Sequence, residues 1–424
     1  GYVFYGFWDP RFCALMALST LVSYLAGLGF LRWSEPGPRR ACLVLPIVID
    51  LLLLGFFKYF NFAIESLRWL GDQARIDVAL HPIDVILPVG ISFYTFHTIT
   101  YIVDSYRGVI RPTRNLFEFA CYVSLFCQLV AGPIVRFRQI EGDLDRIDEA
   151  QRPDFDESAW SFFALGLIKK VLVADSLASL INPLLAQPGE LSTATAWACA
   201  LGYTFQLYFD FSGYSDMAVG LGRLFGLRLP QNFASPYKAT DPSDFWRRWH
   251  ISLSSVLRDY LYIPLGGNRG GALKEHRNIL ITMLLGGLWH GAQWTFVVWG
   301  GYHALLLSTH RLFEKSWARL PGAARVALTF VLAVFGWVIF RAESLGKAAA
   351  WLTSMLTWRP GDGPSALLWG CILVAAAISF GLRNTFEIEH RWRPLPAAGL
   401  TALFSLSLLV MYVGRQTPFL YFQF

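Results

Sequence analysis

The sequence predicts an all-α polytopic membrane protein with about ten to eleven transmembrane helices and additional re-entrant or interfacial helices. Three observations support this fold class. Of the 424 residues, 54% are hydrophobic and only 16% are charged, whereas soluble domains carry about 25% charged residues. Uncharged stretches long enough to cross a bilayer recur along the chain. The 16 Trp, 17 Tyr and 34 Phe are typical of aromatic belts. This composition excludes a cytosolic enzyme, a disordered protein and a nucleic-acid-binding domain.

The predicted spans follow from the spacing of charges, because a helix needs about 20 apolar residues to cross the hydrocarbon. Six stretches each predict one span: Phe12–Leu31, Ala41–Phe57, Phe119–Val135, Leu191–Phe209, Gly363–Leu382 and Pro394–Gly414. Val85–Val103 predicts a segment that either crosses the membrane or re-enters. Val326–Phe340 is a shorter candidate.

Two further stretches are more complex. Ala159–Leu185 is interrupted by Lys169, Lys170 and Asp175. Asn278–His310 has no Asp, Glu, Lys or Arg in 33 residues, and it predicts two helices that meet near Gly291–Gln293.

Two apolar stretches contain helix breakers, Pro88-Val89-Gly90 in one and Gly132-Pro133 in the other. Proline removes a backbone donor, and broken backbone at membrane depth requires protein or a wet cavity to satisfy it. The breaks therefore indicate either an internal cavity or simple helix kinks.

The longest polar interval, Arg223–Arg277, holds nine Lys or Arg residues. The positive-inside rule places this interval on the cytoplasmic side. The net charge of +6 is interpreted as the excess of basic residues in the cytoplasmic loops. We expect one membrane domain over residues 1–424, with 223–277 as a cytoplasmic-side amphipathic or re-entrant segment. Because the chain begins at Gly1, we expect an N-terminal helix to be missing. The cysteines are interpreted as small buried hydrophobes: Cys13, Cys42, Cys121, Cys127, Cys199 and Cys371.

His250 follows a helix-start signal, with Asp241 as the cap and Pro242 at the first position. A single helix from there would place Trp246, His250, Leu253 and Leu257 on one face. Arg247 and Arg248 would lie largely off that face. Such a helix either lies in the membrane interface with His250 merely packed, or brings His250 into the protein.

His290 lies in the long uncharged stretch, between Trp289 and Gly291. Gly286, Gly287 and Gly291 allow a close approach of helices or a substrate. An ionisable residue at membrane depth is a functional candidate, and a neutral buried imidazole can act as a general base. A structural histidine bonded to a neighbouring helix is the alternative.

The other polar candidates carry weaker signals. His303 and His310 are interpreted as structural or interfacial, and His97 as a possible cavity residue. Asp210 and Asp216 either orient a histidine or arginine or mark a helix end at the interface, which we favour slightly. The turn Gly266–Gly271 with Arg269 is a weak phosphate-site candidate. The spacing of His and Cys does not indicate a metal site.

Taken together, several segments resemble the membrane-bound O-acyltransferase family, and within it the bacterial branch that acetylates alginate. The resemblance covers nearly the whole chain and is most specific over residues 231–294. The matching segments are Leu87–His97, Leu129–Arg136, Tyr208–Met217, Gln231–Phe233, Pro236-Tyr237, Phe245–Ser254, Arg258–Tyr260, Leu288–Gly291 and residues 418–424.

The resemblance implies a fold of many helices around a central tunnel, with His290 as the catalytic residue and His250 as a second motif residue lining the tunnel. His290 would remove the proton of an acceptor hydroxyl while His250 orients the acyl donor. The remaining tunnel and donor candidates are Trp246, Arg247, Arg248, Trp249, Arg258, Asp259, Tyr260, Trp289 and Asn232, with Arg269 as a further phosphate ligand.

The expected co-substrate is an acetyl thioester of coenzyme A or of an acyl carrier protein, with no bound cofactor. The resemblance implies an acetyl group delivered across the bacterial inner membrane to an exopolysaccharide such as alginate, directly or through periplasmic acetyltransferase partners. Two alternatives remain at this level. One is a transporter of acyl donor or polysaccharide without chemistry, or a scaffold. The other is a related branch that transfers D-alanine to teichoic acid or acetylates cellulose.

Overall fold

The computed structural model describes residues 1–148 and 156–414, and residues 418–424, which belong to the family resemblance, lie outside them. The described residues fold into helices and loops. The first ten α-helices are α1 Tyr2–Trp8, α2 Pro10–Arg32, α3 Pro36–Leu54, α4 Phe60–Ala74, α5 Ile91–Tyr106, α6 Leu116–Val123, α7 Phe126–Leu129, α8 Phe137–Asp148, α9 Glu157–Ile168 and α10 Asp175–Ile181.

The second half of the chain contributes the longest helix and the helices around the candidate site. They are α11 Thr193–Leu224, α12 Pro242–Arg248, α13 Ile251–Leu257, α14 Ala272–His290, α15 Trp294–Leu312, α16 Glu314–Trp317, α17 Gly322–Arg341, α18 Leu345–Leu356, α19 Ala366–Gly381 and α20 Pro394–Val413. In the described part of the chain, π-helical segments interrupt the α-helical hydrogen bonding at Gly55–Tyr59, Lys169–Ala174 and Arg258–Tyr262.

Within residues 1–148 and 156–414, four helical stretches are long and apolar enough to cross a membrane, and two shorter helices are also apolar. The long ones are Pro10–Arg32, Pro36–Ala74, Gly322–Arg341 and Pro394–Val413, and the shorter ones are Leu116–Leu129 and Ala366–Gly381. The fold class is therefore confirmed as all-α and polytopic, whereas the count of ten to eleven crossings stays a prediction.

The chain divides into two compact units. Gly1–Pro153 with Gly226–Leu229 forms the first, in which α2, α3 and α5 pack together. Asp154–Phe225 with Pro230–Phe424 forms the second, which contains both α11 and the pair α14 and α15. The prediction of one domain over the whole chain is not tested by this division.

One predicted span is wrong. Phe119–Val135 is not a single helix, because α6 ends at Val123 and the chain is non-helical after α7 up to α8. Nearby side chains replace the missing ladder bonds: the Tyr122 hydroxyl donates to the carbonyl of Val135 at 3.0 Å, and Gln128 Nε2 donates to the carbonyl of Tyr122 at 2.9 Å. The break at Gly132-Pro133 is thus satisfied by protein groups, as broken backbone at membrane depth requires.

The second predicted break is also present. Residues 76–88 are not helical, Gly90 has a φ of 76°, and α5 begins directly after it. A side chain at Gly90 would collide with the carbonyl of Leu129, so this position needs glycine for both its conformation and its close packing.

The interpretation of Asp210 and Asp216 as helix-end residues is wrong, because α11 continues through both to Leu224. Each carboxylate lies beside a lysine. Lys170 Nζ lies 2.7 Å from Asp210 Oδ1. Lys169 Nζ lies 2.5 Å from Asp216 Oδ2, which also accepts from Thr385 Oγ1 at 2.6 Å. The two lysines that interrupt the predicted span 159–185 are therefore paired with aspartates on α11.

Helices α14 and α15 form the predicted pair across the uncharged stretch, separated by Gly291–Gln293. They approach backbone to backbone. A methyl group on Gly287 would collide with the carbonyl of Phe296, and one on Gly300 with the carbonyl of Met283. The small residues thus allow the close approach that the sequence predicts, and they fix the end of α14 against α15.

The cysteines match their interpretation in part. Cys42, Cys127 and Cys199 are buried, whereas Cys121 is exposed.

Candidate active site

The single helix predicted through His250 is wrong. The chain forms two short helices, α12 and α13, and His250 lies between them in the left-handed region, with φ 45° and ψ 53°. An extended segment replaces the missing helical bonds: Ala234 N–H donates to the carbonyl of Arg248 at 3.0 Å, and Ile251 N–H to the carbonyl of Asn232 at 2.9 Å. A non-glycine residue in this region is a strained position that the surroundings must hold.

Asn232 holds the His250 turn with its side chain. Its Oδ1 lies 3.1 Å from His250 Nδ1, 3.2 Å from Ser252 N and 2.9 Å from Ser252 Oγ. Its Nδ2 donates to Ser215 Oγ of α11 at 3.2 Å. Asn232 is 1% exposed and His250 is fully buried. The amide therefore caps α13 and links the imidazole of His250 to α11.

The surroundings of His250 are aromatic. Its ring centroid lies 4.7 Å from that of Phe211 and 6.1 Å from that of Trp289. The turn lies outside the apolar spans, and burial among these rings lowers the pKa of the His250 imidazole, because desolvation disfavours the charged form. His250 is therefore neutral at physiological pH.

His290 is the last residue of α14 and is 7% exposed. Its ring centroid lies 6.3 Å from that of His250 and 5.1 Å from that of Trp289. The C-terminal end of a helix carries partial negative charge, which stabilises a nearby imidazolium. The position thus favours a histidine that accepts a proton during a reaction.

Trp299 and Phe340 complete the aromatic wall around His290, and sequence reasoning missed both. Their ring centroids lie 5.2 and 5.3 Å from that of His290. His303, interpreted from sequence as structural or interfacial, is buried in the same cluster, 4.8 Å from Trp299. The spacing of Trp299 and His303 at i and i+4 places them on one helix face, which is the signal that identifies this wall.

A cavity of about 310 Å³ lies among α12, α13, α14, α15 and the π-helical segment after α13. Trp246, Arg247 and Arg258, three of the donor candidates named from the sequence, line it together with Arg311. Ile279, Met283 and Leu307 supply apolar walls. Trp246 connects the cavity with the aromatic wall, because its ring lies 5.7 Å from Trp299 and 5.1 Å from His303.

The other predicted donor residues lie elsewhere around this site. Arg248 donates to the carbonyl of Ala234 at 3.2 Å and pairs with Asp244 at 3.0 Å. Trp249 is buried against Trp337, with ring centroids 4.6 Å apart. These contacts give both side chains a role in holding the turn.

Asp259 accepts from Arg258 Nε at 2.7 Å. Tyr260 follows in the same π-helical segment. Arg269 belongs to the glycine turn, where Gly267 accepts from Asn278 Nδ2 at 2.9 Å. The phosphate role of that turn stays a prediction.

His310 and His97, the other two histidines singled out from the sequence, each pack against an aromatic ring. His310 packs against Trp317 with ring centroids 5.6 Å apart. His97 is fully buried on α5 in the first unit, 5.5 Å from Tyr122. Its predicted cavity role stays a prediction.

Comparison with known proteins adds independent information. Residues 86–345, more than half of the chain, match the model of the membrane-bound O-acyltransferase family. A probable alginate O-acetylase AlgI of Pseudomonas putida is 40% identical, with 100% of this chain and 93% of the relative covered. That of Pseudomonas aeruginosa is 43% identical, covering 91% and 76%. A peptidoglycan O-acetyltransferase of Helicobacter pylori is 33% identical, covering 99% and 89%.

Proposed function

The chain belongs to the membrane-bound O-acyltransferase family and is a multi-pass membrane O-acyltransferase, and from this premise we propose that it moves an acetyl group from a cytoplasmic thioester towards hydroxyls of an alginate-type exopolysaccharide. The acetyl group is common to the names of all three relatives. The alginate acceptor is supported by the two relatives of highest identity among the three. The observation that carries the chemistry is the buried pair of His250 and His290.

In the proposed reaction His290 acts as general base. The acceptor hydroxyl oxygen attacks the thioester carbonyl carbon, the carbon–sulfur bond breaks, and the hydroxyl proton passes to His290 and then to the leaving thiolate. A thioester is already activated, so positioning and one base suffice. Proximity supplies about 7–11 kcal/mol and a positioned base about 100- to 10,000-fold. The position of His290 at the end of α14 supports this role, because the helix end favours the imidazolium that forms.

The cavity beside Trp246 is the proposed entry for the acyl donor. Its volume of about 310 Å³ is at the lower end of the range of about 300–1,000 Å³ for small-molecule sites. It therefore suits the linear thioester arm of coenzyme A or of an acyl carrier protein, with its apolar walls around the arm. Arg247 and Arg258, whose side chains are 66% and 63% exposed, are positioned to bind the phosphates outside it.

The proposed setting is the bacterial inner membrane. The basic interval Arg223–Arg277 faces the cytoplasm under the positive-inside rule, so the donor would arrive from that side. The acetyl group would leave on the periplasmic side, directly to the polysaccharide or through periplasmic acetyltransferase proteins.

The test uses the purified full chain in nanodiscs with one of two isotopically labelled donors, acetyl-coenzyme A or an acyl carrier protein that bears a labelled acetyl thioester. Alginate oligosaccharides and peptidoglycan fragments are offered as separate acceptors, with and without a periplasmic extract. Mass spectrometry follows free thiol and labelled ester. Labelled alginate would support the proposal. Labelled peptidoglycan alone would replace the acceptor, and absence of thioester cleavage with either donor would overturn the donor assignment.

A further inference from the structure

His250 has one nitrogen with a partner and one without. Nδ1 faces the side-chain oxygen of Asn232 at 3.1 Å, whereas Nε2 is buried without a hydrogen-bond partner among the residues that the structure describes. A buried polar atom left without a partner costs about 1–3 kcal/mol, so this arrangement calls for an explanation.

The orientation of the Asn232 amide follows from its neighbours. The backbone N–H of Ser252 can only donate, and it lies 3.2 Å from the Asn232 atom that also faces His250. That atom must therefore be the amide oxygen, because an NH₂ group there would oppose another donor. Nδ2 on the other side donates to Ser215 Oγ at 3.2 Å, which is consistent with this orientation.

The tautomer of His250 follows in turn. Facing a carbonyl-type oxygen at 3.1 Å, Nδ1 must carry the proton. In the neutral ring Nε2 is then an unprotonated acceptor. We propose that Asn232 is a positioning residue that fixes His250 in the Nδ1–H tautomer, so that Nε2 accepts a hydrogen bond from an N–H or O–H group of the substrates.

This assignment, which rests on the proposed function for its substrate, restricts what His250 does. An unprotonated Nε2 repels a carbonyl oxygen, so His250 does not stabilise the thioester carbonyl or its oxyanion. It accepts instead from an amide N–H of the donor arm or from a second hydroxyl of the acceptor, because the one proton of the attacking hydroxyl passes to His290. The ring centroids of His250 and His290 are 6.3 Å apart, so both imidazoles lie close enough to contact the same bound substrates.

The arrangement also explains the strained backbone at His250. The left-handed conformation and the cap on Ser252 bring the ring and the start of α13 to the same oxygen atom. Residues in this conformation persist only where their surroundings over-determine them, and Asn232 supplies three of the contacts.

The experiment measures the tautomer directly by nitrogen NMR on the full chain in nanodiscs, labelled with ¹⁵N-histidine and without substrate. A His250→Gln sample assigns the His250 signals. We expect a protonated Nδ1 and an unprotonated Nε2 in the wild type, and a mixture of both tautomers in Asn232→Ala. Ser255→Ala is the matched control, since it removes a hydroxyl on α13 that bonds the carbonyl of Ser252, and it should leave the tautomer unchanged.

A protonated Nε2 in the wild type would overturn the proposal, even if Asn232→Ala failed to fold. An unchanged tautomer in a folded Asn232→Ala would show that Asn232 does not position the ring. In acetyl transfer we expect Asn232→Ala to lower kcat/KM by about 10- to 100-fold. Because the NMR result needs no turnover, failure of the acetyl-transfer assay would contradict the proposed function alone.

Discussion

The contact between α14 and α15 gives a sharp test of how the fold positions His290. Gly300 of α15 packs directly on the backbone of α14, and a methyl group there would lie well within 3.0 Å of the Met283 carbonyl oxygen. The adjacent Gly301 is a matched control, because a methyl group there would lie 3.7 Å from its nearest neighbour, Leu284 Cδ2, which is an ordinary contact. Both positions lie within the same helix and receive the same substitution.

The expected magnitude follows from the displacement. Restoring a carbon–oxygen separation of about 3.3 Å requires α14 and α15 to move apart by roughly 1 Å, and overpacking of this kind costs about 1–3 kcal/mol. His290 ends α14, while Trp299 of its aromatic wall is on α15 next to Gly300. Because a misplacement of about 1 Å can cost about 100-fold in rate, we expect Gly300→Ala to lower acetyl transfer by about that factor.

The assay compares Gly300→Ala, Gly301→Ala and the wild type by thermal unfolding in detergent and by acetyl transfer. Gly301→Ala should behave like the wild type in both measurements. If Gly300→Ala kept wild-type stability and activity, the backbone contact would not determine the position of His290 and the reasoning would be refuted.

Three further predictions follow. Arg247→Gln should raise the KM for the acyl donor without a loss of folded protein. Arg248→Gln, which breaks bonds to Asp244 and Ala234, should instead lower the melting temperature. Equal effects of the two variants on KM would contradict the donor-binding role of Arg247. Asp216→Asn leaves Lys169 without its charge partner, and breaking such a buried pair should lower the free energy of unfolding by about 3–5 kcal/mol. The readout is the temperature at which monodisperse protein is lost on heating, which should fall. An unchanged temperature would contradict the stabilising role of this ion pair. Burial lowers the pKa of His250 to about 3, so His250 stays neutral as the pH falls from 8 to 5. In a plot of kcat/KM against pH, the midpoint of the acid-side loss should therefore be the same in His250→Gln as in the wild type. A midpoint that moves in this variant would show that His250 titrates in that range.

The sequence predicted the membrane class and most of the long helices, because uncharged stretches of about 20 residues are typical of membrane-spanning helices. Gly322–Arg341 and Pro394–Val413 are examples. It failed where tertiary contacts replace the helical ladder. At Phe119–Val135 the hydroxyl of Tyr122 and the amide of Gln128 satisfy the broken backbone, and hydropathy carries no information on such partners.

The interpretation of Asp210 and Asp216 failed for a related reason. Charges inside an apolar stretch suggest an interface when each is read alone. Here the π-helical segment at Lys169–Ala174 packs against α11. Two lysines of the first element therefore neutralise two aspartates of the second, and the sequence alone does not show that these elements are neighbours.

For the candidate site, the sequence identified the chemistry-bearing residues more readily than their geometry. His250 and His290 stand out as ionisable residues in apolar surroundings, and their rings are neighbours in the structure. The helical periodicity at 242–257 nevertheless predicted the wrong local structure, because the extended segment around Asn232 competes successfully for the backbone bonds at His250. No local pattern shows that a residue 18 positions earlier caps the turn.

The most direct test of the central claim is single-turnover acetyl transfer by wild type, His290→Ala and His310→Ala in nanodiscs, with membrane insertion and monodispersity measured on each sample. His310 is the control histidine, on the same pair of helices but packed on Trp317. The account predicts that His290→Ala remains folded and loses transfer by at least about 100-fold, while His310→Ala keeps it. Wild-type transfer by a folded His290→Ala would contradict the assignment of His290 as the base.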